Sequence, residues 1–296
     1  MKKYLIYTFL VLMSISSLSL KAQKEVIYCG DNKVKIVNVE DLKNGKTDLV
    51  WQWSIDDAKD HIPESFHKYF STLDECKSVN GNKQILLTSS SNGVALIDRK
   101  SKKCLFYAYV PMAHSAELLP KGIIAVALST HPKGNSVELF DINKPNETIF
   151  RDSLYSGHGV VWMKKQKRLY ALGYDELREY SLNNRKGGNK SLTLENRFTI
   201  PLVGGHDLMK VNDNEILITA HKGVYIFDIN SNKFSPFEPF KESENIKSVN
   251  YNKKTGAVVY TKAEISWWTH NIYIHNDEFK IVDNDLNIYK CRVSKW

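Results

Sequence analysis

Three of the nine histidines in this 296-residue chain, His114, His158 and His206, stand just ahead of short apolar runs of similar make-up at 115–119, 159–163 and 207–211. Imidazole is the side chain whose ordinary pKa lies closest to neutral pH, so matched histidines point to proton transfer in a shared pocket. His131 and His221 follow a second kind of apolar run, as does Tyr174, and Lys262 ends another. Lys247 lies just inside a further run, and Trp267, Trp268 and His270 fall in one long connection. Imidazole, phenol, ammonium and indole together suit an acidic sugar. The C5 proton of a uronic acid becomes removable once a cation offsets its carboxylate, a near-neutral base takes the proton, and an acid assists the C4 substituent. An indole face stacks on the apolar face of a sugar ring. The expected catalytic set is His114, His158 and His206; the expected substrate contacts are His131, His221, Tyr174, Lys262, Lys247, Trp267, Trp268 and His270. Three or more histidines could instead hold a divalent metal that does the neutralising.

These residues need a scaffold that brings distant segments together, and the chain repeats in a way that supplies one. Short β-rich runs recur six times, at 26–29, 85–88, 124–128, 169–172, 216–219 and 258–261. The last four are preceded across a polar hairpin by another strand, at 115–119, 159–163, 207–211 and 246–251, and most of the six are followed by a further strand ending in an acidic turn, as at Asp98, Asp141 and Asp228. Four strands per unit, repeating every 40–46 residues or about that, is the pattern of a β-propeller blade. The expectation is therefore an all-β, six-bladed β-propeller. Its first unit lacks an innermost strand and its last segment, 287–293, is a strand without a unit, so the C-terminal strand should close the ring and remove its open edges. That closure brings Cys291 near Cys29, as a disulfide or as two buried thiols. In a blade the residues leading into the innermost strand and those leaving the second share one face, which is why the histidines are expected at one mouth of the central channel. Lead-in positions fall at Asp74 and Glu75, the three histidines, Glu244 and Asn245 with Lys247, and Asp283 to Asp285.

Composition is ordinary for a globular domain, with 42% hydrophobic and 25% charged residues. Lys2 and Lys3, an apolar run and the small residue Ala22 form a signal peptide over 1–22, leaving 23–296 as a single propeller domain, periplasmic or secreted, and monomeric. Its loss removes Lys2, Lys3 and Lys21 and no acid, which takes the formal charge from +8 to +5. The remaining basic residues are scattered through hairpins without stacking motifs, which argues against nucleic acid, and no later segment is apolar for long enough to span a bilayer. No nucleophile elbow, phosphate loop or HExxH is present.

The stretch Tyr155-Ser156-Gly157-His158-Gly159-Val160-Val161-Trp162, together with 127–135, 171–177 and 260–270, resembles a family of exported six-bladed propellers of Bacteroidota. That resemblance spans essentially the whole mature chain and implies fold rather than chemistry. More remotely, the histidine-lined channel is similar to oligogalacturonate and ulvan lyases, seven-bladed propellers that use His and Tyr in elimination. The function these readings imply is a lyase or dehydratase acting by β-elimination on uronic-acid-containing oligosaccharides from acidic polysaccharides such as ulvan or pectin. The alternatives are a propeller that binds a glycan or peptide without turnover, or a histidine-dependent glycosidase.

Overall fold

In the computed structural model, which describes residues 24–46, 49–184, 188 and 190–296, the chain forms six four-stranded antiparallel sheets arranged as a six-bladed propeller. Blade 1 takes β1 (Glu25–Gly30), β2 (Lys33–Asn38) and β3 (Leu49–Ser54). Blade 2 is β4 (Leu73–Val79), β5 (Gln84–Ser89), β6 (Gly93–Asp98) and β7 (Cys104–Tyr109), and blade 3 is β8 (Ala113–Leu119), β9 (Ile123–Leu128), β10 (Ser136–Asp141) and β11 (Thr148–Ser153). Blade 4 is β12 (Gly159–Met163), β13 (Arg168–Leu172), β14 (Glu176–Asn184) and β15 (Lys190–Thr199), and blade 5 is β16 (Asp207–Lys210), β17 (Glu215–Ala220), β18 (Gly223–Asp228) and β19 (Lys233–Pro236). Blade 6 is β20 (Ile246–Asn252), β21 (Ala257–Lys262), β22 (Asn271–Ile274) and β23 (Lys280–Val282). The last strand, β24 (Ile288–Lys295), pairs antiparallel with β1 and becomes the innermost strand of blade 1, so the ring closes as the sequence implies. Between blades 1 and 2 the segment 55–70 forms one short helix, Glu64–His67, between two 3-10 turns. The proposed signal peptide at 1–22 lies outside the described residues. Among the described residues no helix is long and apolar enough to cross a membrane.

Blades are held by apolar side chains from facing sheets. Ile27, Ile36, Trp53, Ile85 and Leu87 interleave between blades 1 and 2, and Val26, Tyr28, Val259 and Ile272 between blades 1 and 6. Both faces of the second strands are covered, which is why β9 reads as the unbroken apolar run Ile123-Ile124-Ala125-Val126-Ala127-Leu128. Each fully buried Leu or Ile contributes about 1.5–3 kcal/mol of hydrophobic stabilisation.

Cys29 and Cys291 form no disulfide, because they point into different interblade layers. Tyr28, and not Cys29, lies opposite Cys291. Cys29 packs with Cys76 between blades 1 and 2, whereas Cys291 packs between blades 1 and 6 against Ser248 and Asn250. All four cysteines are free thiols.

Candidate functional site

The innermost strands line the channel, and alternate residues on each strand face it. The pattern is legible in six aligned segments: Asp74-Glu75-Cys76-Lys77, His114-Ser115-Ala116-Glu117, His158-Gly159-Val160-Val161, His206-Asp207-Leu208-Met209, Lys247-Ser248-Val249-Asn250 and Tyr289-Lys290-Cys291-Arg292. The first residues of these segments line a cavity of about 370 Å³ at one mouth of the channel, with Ser90, Met112 and Trp267 at its rim. The last residues line a separate cavity of about 250 Å³ at the opposite mouth. Between the two cavities lies a belt formed by Glu75, Ser115, Gly159, Asp207, Ser248 and Lys290.

A β-bulge aims several of the first-tier side chains inward. Ladder register slips between Leu73 and Glu75, between Ala113 and Ser115, and between Ile246 and Ser248, leaving Asp74, His114 and Lys247 as the extra residues. On β24 two residues, Tyr289 and Lys290, stand against Cys29 alone. A bulge breaks the strict inward–outward alternation, so two successive residues can both contribute to the channel.

The histidines meet as expected. Ring centroids of His114 and His158 are 4.6 Å apart, those of His158 and His206 5.8 Å, and His221 stacks on His206 at 4.7 Å and 11°. Only a glycine permits that stack: Gly204 has φ +75, and a Cβ there would collide with the His221 ring. Tyr174 continues the row, 6.3 Å from His221. On the other side Tyr289 lies 6.1 Å from His114 and 5.7 Å from Trp267, both edge-on.

Backbone contacts fix the imidazole tautomers. His114 and His158 each donate Nδ1–H to the carbonyl two residues back, Met112 at 3.1 Å and Ser156 at 2.8 Å, so each keeps Nε2 as an acceptor. His206 is the reverse: its Nε2 accepts from the Lys247 ammonium at 3.0 Å, so its buried Nδ1 carries the proton and has no partner among the described residues.

Burial is the first cause of every pKa shift here. It lowers His158 to about 4, with the Lys290 and Lys247 charges acting the same way against the Ser156 contact. It holds His114 and His206 well below the ordinary histidine range, aided by His158 and by Lys247 respectively. Lys247 falls to about 8 through burial and the nearby Lys290, and Asp74 is pushed up to about 8 by burial against the Lys290 charge. At neutral pH the mouth therefore holds neutral imidazoles, a protonated carboxyl and one largely charged ammonium.

The belt below is different. Arg292 donates to both Glu75 and Asp207, with Nη1 2.7 Å from Asp207 Oδ2. Lys77 lies 3.4 Å from Glu75 and 3.3 Å from Glu117. The fully buried Lys290 lies 3.3 Å from Asp207 and donates to the carbonyls of His158 at 3.1 Å and His114 at 3.4 Å. One ammonium thus ties the closing strand to blades 3, 4 and 5, and the belt closes the floor of the histidine cavity.

Several expected contacts lie outside the cavity lining. His131 accepts the Lys133 amide within its own loop. Trp268 turns its ring to His270, whose Nδ1 bonds the Leu286 carbonyl, and Lys262 is exposed at the end of β21. The physical reason is distance from the axis: residues leaving the second strand start about 4.8 Å farther out than those leading into the first. His221 stacks on His206 because Gly204 makes room, but His221 is exposed and, like Tyr174 beside it, lies outside the cavity lining. Asp283 is not a lead-in residue; it receives Lys35 at 2.6 Å and the Tyr28 hydroxyl at 3.1 Å, and Tyr289 occupies the channel position instead. Tyr289 and Lys290 were missed, although Ile288-Tyr289-Lys290-Cys291-Arg292 aligns with Leu73-Asp74-Glu75-Cys76-Lys77. Among the described residues no group of three or more His, Cys, Asp or Glu is arranged to hold a metal ion.

The profile of a family described as a family of unknown function, DUF6528, matches residues 2–295. No curated protein matches the chain.

Proposed function

The chain belongs to the DUF6528 family of unknown function, and from the signal-peptide-like residues 1–22 together with the pocket we propose that it is an exported carbohydrate-active enzyme acting by β-elimination on uronic-acid-containing oligosaccharides. The observation that carries this reading is the His114–His158 pair, two neutral imidazoles with Nε2 left as acceptor, 4.6 Å apart and beside the Lys247 ammonium. A carboxylate drawn to Lys247 offsets the positive field of Lys247 and Lys290 that depresses the imidazoles, so binding an anionic sugar raises their basicity at the moment a proton must be taken. His158 is the better placed base, because Lys247 acts on it directly. His206 Nδ1–H supplies a fixed donor for a sugar oxygen. The closed floor favours a sugar that enters end first, and 370 Å³, near the lower end for ligand pockets, suits one or two rings.

Incubation with oligomers of ulvan, pectin and glycosaminoglycan should raise ultraviolet absorbance as an unsaturated uronate forms; flat traces on all three would sink the reading. A second reading, glycan capture without turnover, is favoured by Trp267, an exposed indole set edge-on against Tyr289 at the rim. It predicts that His158→Ala weakens affinity for the same oligomers while no product forms with either protein.

A further inference from the structure

We propose that Asp74 is the proton donor of this pocket and delivers its carboxyl proton to the oxygen that leaves C4 of the sugar. The proposal rests on the elimination reading for the identity of the leaving oxygen, and on the geometry of the cavity for the donor itself. Asp74 is the bulged residue at the start of β4, lines the cavity, and is 2% exposed. Its Oδ2 has no hydrogen-bond partner, which is costly for a buried ionised carboxylate and far less so for a carboxyl that keeps its proton. Asp74 also stands in the right place around the axis. His158, Lys247 and Asp74 come from blades 4, 6 and 2, so base, cation and acid approach a central ligand from alternate blades.

The groups that face Asp74 explain why it holds its proton. Glu75 follows it on the same strand and Ser90 leaves the neighbouring strand; Lys290 and Tyr289 come from β24, and Cys29 from β1. Lys290 and Ser90 favour the carboxylate but do not overcome burial, and Glu75 opposes ionisation further. Tyr289 is the other candidate donor at this mouth. Burial and the surrounding carboxylates push its hydroxyl far above the ordinary phenol range, which makes it a fixed hydrogen-bond donor and a poor acid.

The step balances. The imidazole takes the C5 proton, the C5–H electron pair becomes the C4=C5 double bond, and the C4–O bond breaks. The departing oxygen takes the Asp74 proton. An unsaturated uronate and an alcohol result, or water where C4 bears a hydroxyl, with Asp74 left as carboxylate and the base as imidazolium.

The test uses the full chain and the variant Asp74→Asn, which keeps the shape and cannot give up a proton. On a sugar-linked uronate the variant should lose about 10²–10⁴ in kcat. On a uronate carrying an aryl ether at C4, whose leaving group needs no proton, it should stay within a few-fold of the parent. Equal turnover of the sugar-linked substrate by parent and variant overturns the proposal. Should the parent form no unsaturated product at all, the elimination reading falls by itself, and carbon-13 NMR of the aspartate carboxyls then decides the donor. A carboxyl signal that titrates above pH 7 and is missing from Asp74→Asn upholds Asp74 as the carboxyl that keeps its proton in this pocket, the part of the proposal that rests on the cavity; titration in the ordinary carboxylate range overturns it.

Discussion

The histidine mouth and the belt beneath it are built by the same six innermost strands, at successive inward-facing positions, yet burial acts on them with opposite results. At the mouth, Asp74 and His206 each have a buried polar atom with no partner, and burial moves every resolved shift toward the neutral form: His158 down to about 4, Lys247 down to about 8, Asp74 up to about 8. In the belt, burial opposes the Glu75 charge as well, but Arg292, Lys77 and Lys290 more than offset it and hold the carboxyl at about 2. Burial also works against the Arg292 charge, and Asp207 and Glu75 raise its pKa well above the usual value all the same. A buried group keeps its charge where its partners outweigh burial, as at Glu75, and loses it where they do not, as at Asp74. The belt sets its charges against one another, down to Glu75 Oε2, which has no hydrogen bond but lies 3.4 Å from the Lys77 ammonium; the mouth leaves its polar groups for a ligand.

That contrast can be broken at either level. His158→Ala removes a proposed base and should lower kcat by about 10²–10⁴ on a uronate oligomer while the melting temperature stays near that of the parent. Comparable activity in the variant would move the base to His114. Arg292→Met should do the reverse: it strands Glu75 and Asp207 as buried charges and should cost about 3–5 kcal/mol in denaturant unfolding, with a far smaller effect on the activity of the folded fraction. A loss under 1 kcal/mol would mean that the belt is not what holds the centre.

The pH profile sharpens the same comparison. His158 must be unprotonated to act as base, so kcat/KM should rise through about pH 4. Lys247 must be charged and Asp74 protonated, so it should fall again above about pH 8. Lys247→Met should raise KM for the anionic sugar more than for a methyl-esterified one, and equal effects on both would remove Lys247 as the carboxylate partner. The smallest effect is expected at the rim, where Trp267→Ala should weaken oligomer binding about fivefold, from roughly 1 kcal/mol of lost ring contact.

Much of this architecture is legible in the chain. The recurrence of apolar runs with polar hairpins gives six units, and the unpaired strands at the two ends give ring closure, because an innermost strand without a unit has only one edge to complete. Matched histidines ahead of innermost strands gave the mouth. Six of the expected contacts, His131, His221, Tyr174, Lys262, Trp268 and His270, lie outside the cavity lining, because they were assigned from strand and loop order, which does not encode distance from the axis. The sequence also could not show that Cys29 and Cys291 face different interblade layers, since a bulge shifts their register.

Periodicity of side chains along a strand is local, so the sequence by itself determined the six blades, the closing strand and the grouping of His114, His158 and His206. Which polar groups are paired and which are left bare is a property of six strands meeting at an axis. Only the tertiary structure decided that Tyr289 joins the mouth, that Asp74 is left there with a bare carboxyl oxygen, that Lys290 and Arg292 lie beneath it, and that the charges of the two levels are set in opposite directions.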